Sequence, residues 1–259
     1  ACWMLLYMGF KKQYRQVLNT LKTASGKYIM LGAILGGPIG MSGYVAAIQW
    51  IGPGYTAVIS AMFPAVGALL SYLILKEKMR PAQLAGLFAC FCGVIGLSYT
   101  NSGKVEHFFA GILCALLCVA GWALEAVICA YGMKTGDVSH EQALQIRQIT
   151  SAAFYGIFIL TALKGWRFTM HLVPTNTSAI IALAALCGTA SYLAYYRAIK
   201  TIGAAKAMSL DITYSAWALF FGWMLLGAPI STTSFMCAAV VIAGSILAAS
   251  DRQRPMRPH

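Results

Sequence analysis

Four ionisable side chains, Glu125, Arg147, Arg197 and Asp211, fall inside apolar runs long enough to be membrane spans. Each costs roughly 2.5–3.5 kcal/mol at the centre of a membrane helix, so each needs a partner or a task. Counted from the nearest span end, Glu125 lies seven residues from Gly132, Arg147 six from Glu141, Asp211 seven from Ala204 and Arg197 three from Lys200. At a rise of ~1.5 Å per residue the first three sit about 10 Å below one membrane face. Arg197 is shallow enough to snorkel. Glu125 and Arg147 occupy consecutive spans joined by a short connection, which makes them a natural ion pair. The chemistry open to Glu125, Arg147 and Asp211 is an inner gate, or proton coupling at one carboxylate. A static pair that sets helix register is the structural alternative.

Aromatic side chains are the second candidate set. Trp122, Tyr155, Tyr192, Tyr214 and Trp217 lie near mid-span on four different runs, and Tyr44 joins them from the first half of the chain. An aromatic cavity carrying a few hydroxyls suits an organic solute with an apolar part, against the alternative of plain core packing. Trp50, Tyr55 and Trp166, at span ends, read as interfacial anchors.

Positioning these groups requires a membrane fold. Apolar residues make up 59% of the 259 and charged residues 10%, against about 25% charged in an ordinary soluble domain. The net charge of +12 does not indicate nucleic acid, because the Lys and Arg residues cluster in short loops between apolar runs. Eight cysteines lie within apolar runs with no CxxC or Cys/His zinc spacing, so neither a metal nor a cofactor is expected. His107, His140, His171 and His259 are isolated, and HExxH is absent, which leaves an integral-membrane enzyme acting on a lipid-soluble substrate only as the alternative reading. A channel would need a ring of like charges or a filter repeat, and neither is present.

The expected fold is an all-α polytopic membrane protein. Eight full transmembrane helices are expected at 28–51, 54–76, 81–100, 108–132, 141–164, 178–200, 204–227 and 231–250, after an apolar remnant at 1–10 too short to cross. Residues 36–97 recur, without a gap, as 187–248, with ten identities among 62 pairs. Five identities fall between Tyr44 and Gly52. Subtracting 151 maps the span at 141–164 onto the remnant and the span at 108–132 onto positions before residue 1. The chain opens at Ala1 without Met or a leader pattern, so the first copy is expected to be truncated. Intact, two five-helix repeats would give ten helices, and an odd number per repeat inverts one against the other. The domain division is then 1–103 for the first repeat, 104–250 for the second, and a basic tail at 251–259. Assigning loops alternately puts fourteen Lys or Arg on one side and three on the other, which makes the first side and the C-terminus cytoplasmic. Gly32, Gly36 and Gly40 form a flat stripe for close helix packing or for a bend on a solute path. Pro64 is matched by Ser215, so a kink is expected in the first copy alone.

The unit in which a helix ends Ala-Ile-x-x-Ile-Gly (Ala47 to Gly52, Ala198 to Gly203), followed by a span and Leu-Lys-Glu-Lys (Leu75 to Lys78), resembles the EamA domain of the drug/metabolite transporter superfamily. The likeness covers nearly the whole chain. It departs at Gly227-Ala228-Pro229, where an acid matching Glu77 would be usual, which leaves Glu77 outside any symmetric mechanism. The resemblance implies a secondary transporter in a bacterial inner membrane that moves an amino acid or other metabolite, mostly outward, by alternating access. The partners it implies are a small organic solute and the lipid bilayer, with no nucleic acid and with a homodimer as an open alternative.

Overall fold

The computed structural model describes residues 1–77, 79–98, 107–136, 138–227 and 231–250. Lys78, Lys104, Ala228, Pro229 and the basic tail 251–259, which enter the charge count, the repeat comparison and the domain division, lie outside the described residues. Those described form helices and no strand. Every backbone group in lipid must be paired within the protein, and a helix does this locally. Among the described residues, five helical stretches are long and apolar enough to cross a membrane: Ala24–Ser60, Phe108–Thr135, His140–Ala162, Asn176–Ile202 and Thr232–Ala249.

The remaining three apolar runs are short or broken. In the first half, α3 (Ala24–Ile34) passes through a π-helical segment (Leu35–Met41) into α4 (Ser42–Ser60), then α5 (Phe63–Leu70) with its π-helical end, and α6 (Pro81–Ser98). In the second, α11 (Asn176–Ile202) is followed by α12 (Ala204–Asp211), α13 (Tyr214–Leu226) and α14 (Thr232–Ala249). Gly52 (φ 77°) and Gly203 (φ 92°) make the matching turns, in a backbone region closed to residues with a Cβ. A second break falls at 61–62 in one half and 212–213 in the other. This corrects the expectation of a single kink. Pro64 starts α5, while Thr213 and Ser215 donate to the Leu210 and Ile212 carbonyls at 2.8 and 3.0 Å, so local hydroxyls do in one copy what proline does in the other.

The π-helical segment has an equally local cause. Pro38 has no N–H to donate to the Ile34 carbonyl four residues back, and the ladder runs on through it as a π-helical segment. Beside it, Ser151 Oγ donates to the Ala33 carbonyl at 3.0 Å and Tyr155 OH donates to the Gly37 carbonyl at 3.2 Å. Both donors belong to the next-but-one long helix, which is formed by α8 (His140–Phe154), a π-helical segment (Tyr155–Ile159) and α9 (Leu160–Ala162).

The central element is α7 (Phe108–Thr135), which buries a stripe from Gly111 to Met133 against α3, the π segment, α4 and α5. The glycine stripe of the opposing helix makes this approach possible: Gly32 lies against Cys129, Gly36 against Glu125 and Gly40 against Trp122. A Cβ at Gly36 would overlap the Glu125 carboxylate. The short α1 (Cys2–Phe10) docks through fully buried Met4 and Met8. Trp3 Nε1 donates to the Ala182 carbonyl at 2.9 Å, and Tyr7 OH and Lys11 Nζ donate to Glu141 Oε1 at 2.7 and 2.6 Å. The amphipathic α2 (Tyr14–Leu21) and α10 (Trp166–Leu172) complete the set.

Helices α6 and α14 cross antiparallel. Gly86, early in α6, lies against Gly244 and Ala248, late in α14, while Gly93 lies against Cys237 and Val241, nearer its start. At the crossing, Cys90 Sγ donates to the carbonyl of Val241, 151 residues away, at 3.3 Å. The Gly244→Leu substitution places a side chain against the Gly86 carbonyl, 2.7 Å from its Cβ, and overpacking of this kind costs about 1–3 kcal/mol. The expected outcome is a melting temperature lowered by several degrees in detergent, with Gly222→Ala, whose Cβ meets nothing within 4 Å, unchanged. Equal melting temperatures for the two variants would contradict this crossing.

Candidate functional site

A cavity of about 240 Å³ lies where the breaks in the helices meet α7. Its walls are Met41, Phe63, Trp122, Glu125, Ala126, Ser191, Tyr192, Tyr195, Asp211 and Tyr214. Two pairs in this wall, Met41 with Tyr192 and Phe63 with Tyr214, stand 151 residues apart. Asp211 closes α12 and Tyr214 opens α13, so both residues border one break. Phe63 follows the equivalent break, and Ser60, the counterpart of Asp211, precedes it fully buried.

Trp122 is held rigidly in this wall. Its ring lies 5.3 Å from that of Tyr44 and 5.8 Å, edge to face, from that of Phe63, contacts of about 0.5–1.5 kcal/mol each beyond their burial. One helical turn further along α7, Glu125 is bound bidentately by Arg147, with Nε to Oε1 at 2.8 Å and a terminal guanidinium nitrogen to Oε2 at 3.3 Å. Tyr196 OH donates to Glu125 Oε1 at 3.0 Å. The Arg147 guanidinium also donates to Tyr192 OH at 3.3 Å and stands 4.4 Å from the centre of the Tyr192 ring. Both charges are therefore satisfied by each other and by phenols, the condition under which a buried pair is tolerated.

Asp211 differs. It belongs to no ion pair among the described residues. Arg197 is exposed on the outside of α11, where a long side chain can reach the membrane surface. Of the sequence candidates, Trp122, Tyr192, Tyr214, Glu125 and Asp211 line the cavity, Tyr44 backs Trp122, and Arg147 approaches through Glu125 and Tyr192. Tyr155 supports the π segment instead. Trp217 lines an adjoining cavity of about 340 Å³ that shares Ser191, Tyr195, Asp211 and Tyr214 with the first. Sequence reasoning does not select Met41, Phe63, Ser191 or Tyr195. Shifting Tyr192 and Tyr214 by the 151-residue offset locates Met41 and Phe63.

A larger hollow of about 650 Å³ opens between α13 and α14, lined by Trp217, Phe220, Trp223, Phe235 and small residues. It has no ionisable side chain in its wall and opens among exposed aromatic residues. A site that must select a polar solute needs convergent polar groups, so the smaller cavity is the candidate.

The chain matches the model of the EamA-like transporter family over residues 1–99 and 109–250. It is 33% identical over 217 residues to Protein LicB of Haemophilus influenzae, covering 84% of this chain and 73% of that one. It is 23% identical over 235 residues to the uncharacterized transporter YoaV of Bacillus subtilis, covering 89% and 77%. A solved crystal structure shares the fold with a TM-score of 0.70 at 17% identity, over 95% of this chain and 83% of that one.

Removing one member of a buried ion pair strands the other, at about 3–5 kcal/mol. Arg147→Met is therefore expected to lower thermal stability sharply, and the double variant Glu125→Gln/Arg147→Met to regain most of the loss. Melting curves of the single and double variants in the same detergent check this, and equal destabilisation would show that the pair is not coupled.

Proposed function

Because the chain belongs to the EamA-like transporter family of the drug/metabolite transporter superfamily, we propose that it is a secondary carrier that binds one small organic solute in the 240 Å³ cavity and moves it by alternating access. The observation that carries this reading is the make-up of the cavity wall. Met41 and Phe63 from one half face Tyr192 and Tyr214, their counterparts from the other, across the ends of two interrupted helices. Carriers built from repeats place the substrate where broken helices of both repeats converge.

In this reading residues 1–103 and 104–250 are two units inverted against each other. The antiparallel crossing of α6 and α14 about Cys90 and Val241 supports the inversion. That crossing is a natural fulcrum, since its close glycine contacts keep the two helices together while the bodies on either side rock. The Glu125–Arg147 pair serves as a gate between α7 and α8, and the breaks at 61–62 and 212–213 supply the joints. The excess of basic residues in alternate loops supports a cytoplasmic C-terminus, and the bacterial relatives support a bacterial inner membrane. Export follows from the family likeness.

The test is transport by the full-length protein reconstituted in vesicles, using radiolabelled amines, amino acids and nucleosides with and without a pH gradient. The expected result is saturable, counterflow-competent movement of one class, reduced at least tenfold by Trp122→Ala in protein whose melting curve shows that it still folds. Fluxes no greater than those of empty vesicles for every class would defeat the carrier reading.

A further inference from the structure

We propose that helix α2, with the basic residues on either side of it, is a docking surface for the headgroups of anionic phospholipids in the leaflet next to it. The proposal does not depend on what the cavity carries.

The charge argument comes first. Lys11, Lys12, Arg15, Lys22 and Lys27 fall within 17 residues, and the chain has no Asp or Glu before Glu77. One of the five is neutralised, since Lys11 Nζ lies 2.6 Å from Glu141 Oε1. Lys12, Arg15, Lys22 and Lys27 are exposed and belong to no ion pair among the described residues. Clustered cations repel one another, and an anionic membrane surface supplies the counter-charge, with an attraction that grows with each Lys or Arg near it.

The second argument is geometric and independent of charge counting. The eight residues of α2 rest on α8 and α3. Val17 is buried, Leu21 packs on the main core, and Gln142 Nε2 donates to Gln16 Oε1 at 3.0 Å. These contacts fix which way the rest of the helix points. Tyr14 and Leu18, four residues apart, lie along one exposed line, and Arg15 and Lys22, seven apart, lie along the line beside it. Tyr14 OH donates to the Leu5 carbonyl at 2.5 Å, which pins the ring against α1. Phe10, which ends α1, is 90% exposed. A loop surrounded by water gains nothing from three exposed apolar side chains beside its cations. At a lipid surface both kinds are used, because the apolar groups enter the acyl boundary while the cations stay among the phosphates. A soluble phosphate would engage the cations alone, so the combination points to a lipid.

Purified full-length protein in detergent micelles is titrated with phosphatidylglycerol or phosphatidylcholine, and bound lipid is counted by native mass spectrometry. Phosphatidylglycerol is expected to bind at least tenfold more tightly, and less tightly as salt is raised. Arg15→Gln/Lys22→Gln is expected to weaken phosphatidylglycerol at least tenfold, about fivefold for each charge removed, and to leave phosphatidylcholine unchanged. Lys12→Gln/Lys27→Gln is expected to act in the same direction and provides a second reading should the first pair fail to fold. Leu18→Ser, which keeps every charge, is expected to weaken binding several-fold. Lys164→Gln/Arg167→Gln, in the sparsely charged loop, is expected to change nothing. Equal affinity for the two lipids, or charge variants that fold and bind phosphatidylglycerol as the parent does, would overturn the proposal. Displacement of the lipid by millimolar glycerol phosphate would also overturn it, and would assign the cations to a soluble anion.

Discussion

A break in a membrane helix exposes backbone groups that no water in the bilayer core can satisfy, so it survives only where protein repairs it or where a cavity admits water. Most of what is distinctive in this chain follows from that constraint. Beside Pro38, Ser151 and Tyr155 from a neighbouring helix donate to the Ala33 and Gly37 carbonyls. The turns at 61–62 and 212–213 are bordered by hydroxyls that donate to the carbonyls of the preceding helix, Ser60 to Ala57, Thr213 to Leu210 and Ser215 to Ile212. The second interruption opens directly on the aromatic cavity, through Asp211 on one side of it and Tyr214 on the other. Irregular backbone and binding site coincide because lipid tolerates the first only where the second exists.

Electrostatics sorts the buried acids by the same logic. Glu125 and Arg147 come from consecutive helices, satisfy each other twice, and use phenols for what remains. A Cβ at Gly36 would displace this arrangement. Asp211 sits at the end of an eight-residue helix, where the helix dipole adds a negative pole to a negative side chain. No ion pair among the described residues compensates it.

Much of this was legible in the sequence. Apolar runs, loop charge and the 151-residue recurrence point to a helical membrane carrier, and the depth of Glu125 and Arg147 places them at one level. Local chemistry that periodicity does not register was harder to read. Apolar length cannot distinguish one span from two half-helices meeting at Ile212 and Thr213, and among the described residues five helices are long and apolar enough to cross. Pro64 advertises its break, whereas the equivalent break depends on two hydroxyls that look ordinary in sequence. Tyr155 and Trp217 were as aromatic and as central as Tyr192, but their side chains leave the helix in other directions. Met41 and Phe63 carry no chemical signal alone, and only their spacing from Tyr192 and Tyr214 singles them out.

The two halves share packing and differ in chemistry, and the difference bears on mechanism. Positions that set the fold are alike in both copies: Gly52 and Gly203 at the turns, Gly93 and Gly244 at the crossing, Ala47 and Ala198 on the preceding helix. Positions that carry charge are not. Asp211 answers to Ser60, Arg197 to Ala46, and Glu77, whose carboxylate lies over Gly203 at the start of α12, to Ala228. In a carrier of two rocking halves, symmetric packing lets the outward- and inward-facing states resemble each other in energy, which keeps both populated.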